Sequence, residues 1–235
     1  NKLFIYSHDT NAGDYSIKLS ISEDEGVTWC APIIVDSGLS MTDPLANEMV
    51  YAGGKLYMTY YNANEPVVDY DDYQIILIES SDMGLTWGNR QILVTSGVWP
   101  LIQADDEALH ITYIGIAGEG DFSLMHMSCL DGTTWSTPKT IGPMTDATDP
   151  IIKHALVADS GRVYASYLDY HDNPTDDDYI LHITKSLDNG GNWVDMGDVT
   201  GSTNNAMYPS LMISGGRLHF VWSDFGDSGW GDSEN

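Results

Sequence analysis

The 235-residue chain carries 35 Asp and Glu against 9 Lys and Arg, a formal net charge of −26, with 42% hydrophobic and 11% aromatic residues. That charge argues against a phosphate-binding surface, and so against nucleic acid or anionic membrane as partner. The hydrophobic share is enough to bury a core, but no apolar run approaches the ~18 residues of a membrane-spanning helix.

Taken in chain order, the elements are short and alternate in polarity. A strand KLFIYSHD from Lys2 is followed by an acid–aromatic pair, Asp14–Tyr15, opening GDYSIKLS, then by SEDEGVTW (Ser22 to Trp29) and a short strand PIIVD. The same succession returns as KLYMTYYN, DDYQIILI with Asp72–Tyr73, SSDMGLTW (Ser80 to Trp87) and RQILV. It returns again as ALHITYIG, GDFSLMHM with Asp121–Phe122 and SCLDGTTW (Ser128 to Trp135), then as RVYASYLD, DDYILHIT with Asp178–Tyr179 and SLDNGGNW (Ser186 to Trp193), and closes on RLHFVWSD. Pro44, Pro100, Pro150 and Pro209 each open a further strand. Turns at Gly53–Gly54, Asp105–Asp106, Ser160–Gly161 and Gly215–Gly216 separate that strand from the next.

Period-2 alternation with β-branched and aromatic residues predicts strands, and the glycine pairs supply the positive φ of hairpin turns. The motif tryptophans are spaced by 58, 48 and 58 residues. A four-stranded antiparallel unit of about 50 residues, repeated, is the blade of a β-propeller. The expected fold is therefore all-β: a propeller of four-stranded antiparallel blades, about five repeats with incomplete terminal blades. The expected domain is single, residues 1–235, with repeats at roughly 1–40, 41–96, 97–145, 146–203 and a partial 204–235. The chain starts and ends on a blade's second strand. Either the strand near Pro209 closes a ring with the first blade, or the chain is a segment of a longer propeller, the reading preferred here.

The pattern Ser-x-Asp-x-Gly-x-Thr-Trp suits a turn between a blade's third and fourth strands. The Asp caps backbone N–H groups, the Gly takes a positive φ and the Trp covers the junction between blades. Asp24, Gly26 and Trp29, Asp82, Gly84 and Trp87, Gly132 and Trp135, and Asp188, Gly190 and Trp193 are assigned this structural role. In the third copy the Asp position reads Leu130, with an acid one place later at Asp131. Cys30 and Cys129 fall in different repeats and are expected as free thiols.

These four copies resemble the Asp-box, or bacterial neuraminidase repeat, of sialidase-like propellers, and the resemblance spans essentially the whole chain. It implies that the Trp turns face away from the ligand. The ligand face would be built from the loops that join one blade to the next and from those between second and third strands. A sialidase would also need three arginines around the substrate carboxylate and an activated Tyr with acidic neighbours. The only arginines are Arg90, Arg162 and Arg217. They fall at positions that do not converge, and the Phe/Tyr-Arg-Ile-Pro element is absent.

The slot before each strand-opening proline varies: Asp43, Trp99, Asp149 and Tyr208. Two carboxylates and two aromatics at a channel mouth suit a sugar, with rings stacking on apolar faces and carboxylates accepting hydroxyl hydrogen bonds. Asp43 and Asp149 could alternatively act as acid and base in hydrolysis, and Tyr208 resembles the sialidase nucleophile. The acidic loops offer Asp69, Asp71 and Asp72, and Asp176, Asp177 and Asp178, as oxygen donors for Ca²⁺; a solvated loop is the plainer reading. No other cofactor is required. His110 and His219 alternate within strands as packing residues.

The expected function is a non-catalytic, extracellular or cell-surface module that binds glycans or protein partners. The alternative is a sialidase-like glycoside hydrolase using the carboxylates at the channel mouth. No nucleic acid and no membrane insertion are expected, and the oligomeric state is left open.

Overall fold

The computed structural model describes residues 2–9, 15–39, 48–63, 72–116, 122–144, 154–173, 176–199 and 206–224, with the side chains of 169–173 and 176–179 excepted. They form seventeen strands in five antiparallel sheets, taken in chain order. Sheet one holds β1 (Leu3–Asp9), β2 (Tyr15–Ser22) and β3 (Ile33–Leu39). Sheet two is β4 (Glu48–Ala52), β5 (Lys55–Ala63), β6 (Tyr73–Ser80) and β7 (Gly88–Val94). Sheet three is β8 (Gly97–Ala104), β9 (Leu109–Ile116), β10 (Phe122–Cys129) and β11 (Lys139–Met144). Sheet four is β12 (Ala155–Asp159), β13 (Arg162–Asn173), β14 (Asp176–Ser186) and β15 (Val194–Asp198). Sheet five pairs β16 (Ala206–Ser214) with β17 (Arg217–Asp224).

Each complete sheet is a four-strand meander, as the repeat predicts. The first sheet lacks a first strand and the fifth has only a first and a second, among the described residues. Among the described residues, the strand containing Pro209 pairs with β17.

Two compact units divide the chain, Asn1–Pro100 and Leu101–Asn235, with the boundary inside β8. In the first, Ile17, Leu19, Ile21, Val35 and Leu39 of sheet one pack on Met58, Tyr60, Ile76 and Ile78 of sheet two, and Trp87 lies against that cluster. A strand pair has two faces, and each of these side chains leaves water only because a second sheet covers it; full burial contributes about 1.5–3 kcal/mol per residue. In the second unit Leu168, Leu181 and Ala206 form a cluster lined by Phe220. Gly142 in β11 leaves room for the Tyr167 ring, which a Cβ there would meet at 2.5 Å.

Two local readings change. Pro100 is the fourth residue of β8 and Pro209 the fourth of β16, so neither opens its strand. The preceding residues, Trp99 and Tyr208, have φ of +50° and +56°, and the β16–β17 register shifts between Met207 and Ser210. Proline lacks the N–H that a ladder needs, and a kinked strand is where that loss is tolerated. His219 is exposed on β17, whereas His110 is buried as expected.

Candidate functional site: a turn-bearing end and an aromatic end

Antiparallel connection gives every sheet two distinct ends. One end carries the turn between first and second strands together with the Trp turn. Three of the Trp turns share one hydrogen-bond pattern. The Asp24 carboxylate accepts from Thr28 N at 2.8 Å, Thr28 Oγ1 at 2.6 Å and Ser22 Oγ at 2.9 Å, while Gly26 N donates to Ser22 Oγ at 2.8 Å. Asp82 and Asp188 repeat this with Thr86 and Ser80, and with Asn192 and Ser186. Trp29, Trp87 and Trp193 each donate Nε1–H to the glycine carbonyl of their own turn, at 3.1, 3.1 and 3.2 Å. Donation from Thr86 holds the Asp82 carboxyl at about 2, donation from Asn192 holds Asp188 at about 2, and Thr28 lowers Asp24 in the same way. Carboxylates saturated in this manner stay ionised and cannot serve as proton donors near neutral pH.

The third turn is one residue shorter. Ser22, Ser80 and Ser186 pair with Leu3, Leu56 and Val163; in sheet three the residue so paired, with Leu109, is Cys129. Cys129 therefore stands in the serine place, and Asp131, not Leu130, fills the carboxylate place. Asp131 Oδ1 accepts from Thr133 N at 2.8 Å, Thr134 N at 2.6 Å and Cys129 Sγ at 3.6 Å, and the two backbone donors push its carboxyl far below the usual range. The reading of Leu130 as a substituted Asp came from aligning on the Trp, and strand register corrects it. Both thiols are free, Cys30 exposed and Cys129 buried.

At the opposite end of sheet two, β5 ends at Ala63 and β6 begins at Tyr73. There the buried Tyr61 meets Tyr73 edge-on at 5.8 Å between ring centroids and Trp99 at 6.4 Å. Trp99 is half-buried and sits on left-handed backbone, which is strained for a bulky side chain. The structure thus sets Trp99 in an aromatic cluster that sequence spacing did not reveal. Tyr208 also lies near the start of its strand and is 44% exposed. Asp43, Asp149, Asp69 and Asp71 lie outside the described residues, as do the side chains of Asp176, Asp177 and Asp178; Asp72 is described and directly precedes β6. Among the described residues, no group of three or more His, Cys, Asp or Glu is placed to hold a metal ion.

Two of the three arginines, Arg90 and Arg162, are engaged in separate structural pairs. Arg90 Nε donates to Asp36 Oδ2 at 2.9 Å, and the Tyr60 hydroxyl donates to the same oxygen. Burial and the hydrogen bond to Asp36 push Tyr60 far above the ordinary tyrosine range, which excludes it as a ready nucleophile. This tie joins β3 to β5 and β7 and was not legible as a pair 54 residues apart. Arg162 pairs with Asp159 across the β12–β13 turn.

No family model matches the chain, and no curated protein sequence matches it. Solved structures do. An α-L-arabinofuranosidase from Lactobacillus brevis aligns over 95% of this chain and 84% of its own, at 14% identity and a TM-score of 0.54. The α-L-arabinanase of Cellvibrio cellulosa aligns over 94% and 86%, at 14% identity and 0.52. The NanB sialidase of Streptococcus pneumoniae aligns over 94% of this chain and 54% of its own, at 12% identity and 0.56. The fold is a β-propeller of four-stranded antiparallel blades. At such identities the likeness speaks for the fold alone.

Proposed function

We propose that the chain is a non-catalytic propeller module of the Asp-box kind that binds glycans through the end of its blades opposite the Trp turns. The observation that carries this reading is the Trp99 ring, held on strained backbone against Tyr61, which in turn meets Tyr73 at that end. Strain persists where the surroundings over-determine it, and such positions cluster at ligand sites. A flat indole beside two phenols suits the apolar face of a sugar ring, and the acidic segment 64–71 next in sequence supplies acceptors for hydroxyls. The structural likeness to proteins named for arabinose-containing and sialic-acid substrates supports carbohydrate as the ligand class. An extracellular or surface setting agrees with the charge of −26, which salt screens.

Those same names favour a second reading, a glycoside hydrolase with Asp43, Asp149 or Tyr208 in the chemistry. The engagement of Arg90 and Arg162 elsewhere and the saturated turn carboxylates weigh against it. One experiment separates the two: a glycan panel including arabinan and sialylated oligosaccharides, with and without millimolar Ca²⁺, run beside turnover of aryl glycosides. Binding without turnover is the expected result. Turnover abolished by Asp149→Asn establishes the hydrolase, and silence in both assays removes carbohydrate altogether.

A further inference from the structure

His126 stands in a slot that the other repeats fill with hydrocarbon. Three residues before Ser22, Ser80 and Ser186 lie the buried Leu19, Leu77 and Ile183; the same step back from Cys129 reaches His126, at 1% exposure. Diagonally placed on β9 is His110, also buried, with the rings 5.4 Å apart and His110 Nδ1 3.2 Å from His126 Nε2. The outer nitrogens, His110 Nε2 and His126 Nδ1, have no hydrogen-bond partner. Whichever tautomer the neutral pair adopts, one buried N–H and one buried lone pair are left over, an arrangement that costs stability. Hydrocarbon at both positions would avoid that cost.

The fourth Trp turn closes directly over this pair. Gly190 lies so near the imidazole that a Cβ would sit 2.1 Å from His126 Cε1. Trp193 meets the same ring edge-on at 4.8 Å. In sheet two the equivalent Gly84 rests on Leu19, at 2.7 Å from a built Cβ. The packing is the same, and only sheet three presents a titratable ring to it.

We propose that the His110–His126 pair is an acid-operated release for the fourth Trp turn, in which protonation of His126, the ring that Gly190 and Trp193 rest on, drives Ser186–Trp193 off the face of β10. The charged groups around the pair come from every packed element. Lys139 on β11 donates to the carbonyls of Gly190 and Gly191 and so pins the turn while repelling a charged His126. Asp105, in the β8–β9 turn, accepts from Gly161 N at 2.7 Å and favours a charged His110. Glu107 accepts from Asn189 at 2.7 Å, and Asp188 lies within the turn itself. Burial outweighs Asp105: it lowers His110 and, with His110 and Lys139, takes His126 down to about 3. The closed turn therefore excludes a proton that the open turn accepts at the ordinary histidine value of ~6.5. Closure is at full strength above that value and weakens as pH falls toward about 3.

The test is amide exchange of residues 186–194 in the whole chain, from pH 7.5 to 4.5, corrected for intrinsic rates. This window lies above the range in which Asp188 titrates. Wild type is expected to open about tenfold more per pH unit below ~6.5, and His126→Leu to stay shut throughout. A flat wild-type profile, or the same slope in His126→Leu, overturns the proposal. Should His126→Leu fail to fold, proton NMR of the wild-type imidazoles decides. Two rings that remain neutral in the closed state at pH 5 uphold the release, and titration of all seven histidines near 6.5 overturns it.

Discussion

Cys129 meets Asp131 across the third Trp turn, Sγ to Oδ1 at 3.6 Å, where serine meets aspartate at 2.9, 2.8 and 2.7 Å in the other three. A thiol is a weak donor and a hydroxyl a good one. Cys129→Ser is therefore expected to leave the melting temperature unchanged or raise it. Asp131→Asn should lower it, and Leu130→Ala, at an exposed side chain, should leave it alone. Thermal melts of the three variants check this; a loss confined to Leu130→Ala would restore alignment on the Trp.

Acid should weaken the turns in a defined range. Asp82 and Asp188 are held at about 2 by donors within their turns, below the ~3.9 of a free aspartate. Their folded values lie below their unfolded ones, so their contribution is complete above ~4 and disappears as pH falls toward about 2. The melting temperature of wild type should drop between pH 4.5 and 2.5, and Asp82→Asn should drop less. Parallel curves for the two proteins would show that the turn carboxylate is not the titrating group.

Glycines in these turns differ in what lies beside them. Gly84 has φ of +89° and a Cβ there would sit 2.7 Å from Leu19 Cδ2, whereas Gly53, at +56°, has nothing within 4 Å. Gly84→Ala combines backbone strain with overpacking and is expected to cost about 2–5 kcal/mol in urea unfolding. Gly53→Ala carries the backbone penalty alone, about 1 kcal/mol. Equal costs would mean that the close packing on Leu19 does not persist in solution.

How far the sequence reveals this molecule depends on the range of the interaction. Strands, their order within each blade and the Trp turns are legible, because alternation, glycine pairs and Asp capping act within a few residues. The one-residue deletion at Cys129 is not, since only strand pairing with Leu109 shows which residue takes the serine place. The left-handed backbone before Pro100 and Pro209 is hidden for a similar reason, as proline before a strand and proline within a kinked one look alike in sequence. The tie of Arg90 to Asp36 and the edge-on contact of Trp99 with Tyr61 join residues far apart along the chain, and tertiary packing alone creates them.

That tie carries its own prediction. Tyr60 is fully buried with its hydroxyl on Asp36. Tyr60→Phe keeps the ring and removes one donor from a carboxylate that retains Arg90, so the expected loss is about 1–3 kcal/mol. Arg90→Met should cost no more, because the Arg90 side chain is 38% exposed and the charge pair is partly screened. Urea unfolding of both variants checks the order; a larger loss from Arg90→Met reverses it.

Glycan binding at the Trp99 end is tested most directly by titration calorimetry of arabinan and sialylated oligosaccharides against wild type, Trp99→Ala and Trp99→Phe. The expected result is saturable binding that weakens at least about tenfold in Trp99→Ala, recovers in part in Trp99→Phe, and leaves the melting temperature within a few degrees. Equal affinity in wild type and Trp99→Ala, or no binding to any glycan, contradicts it.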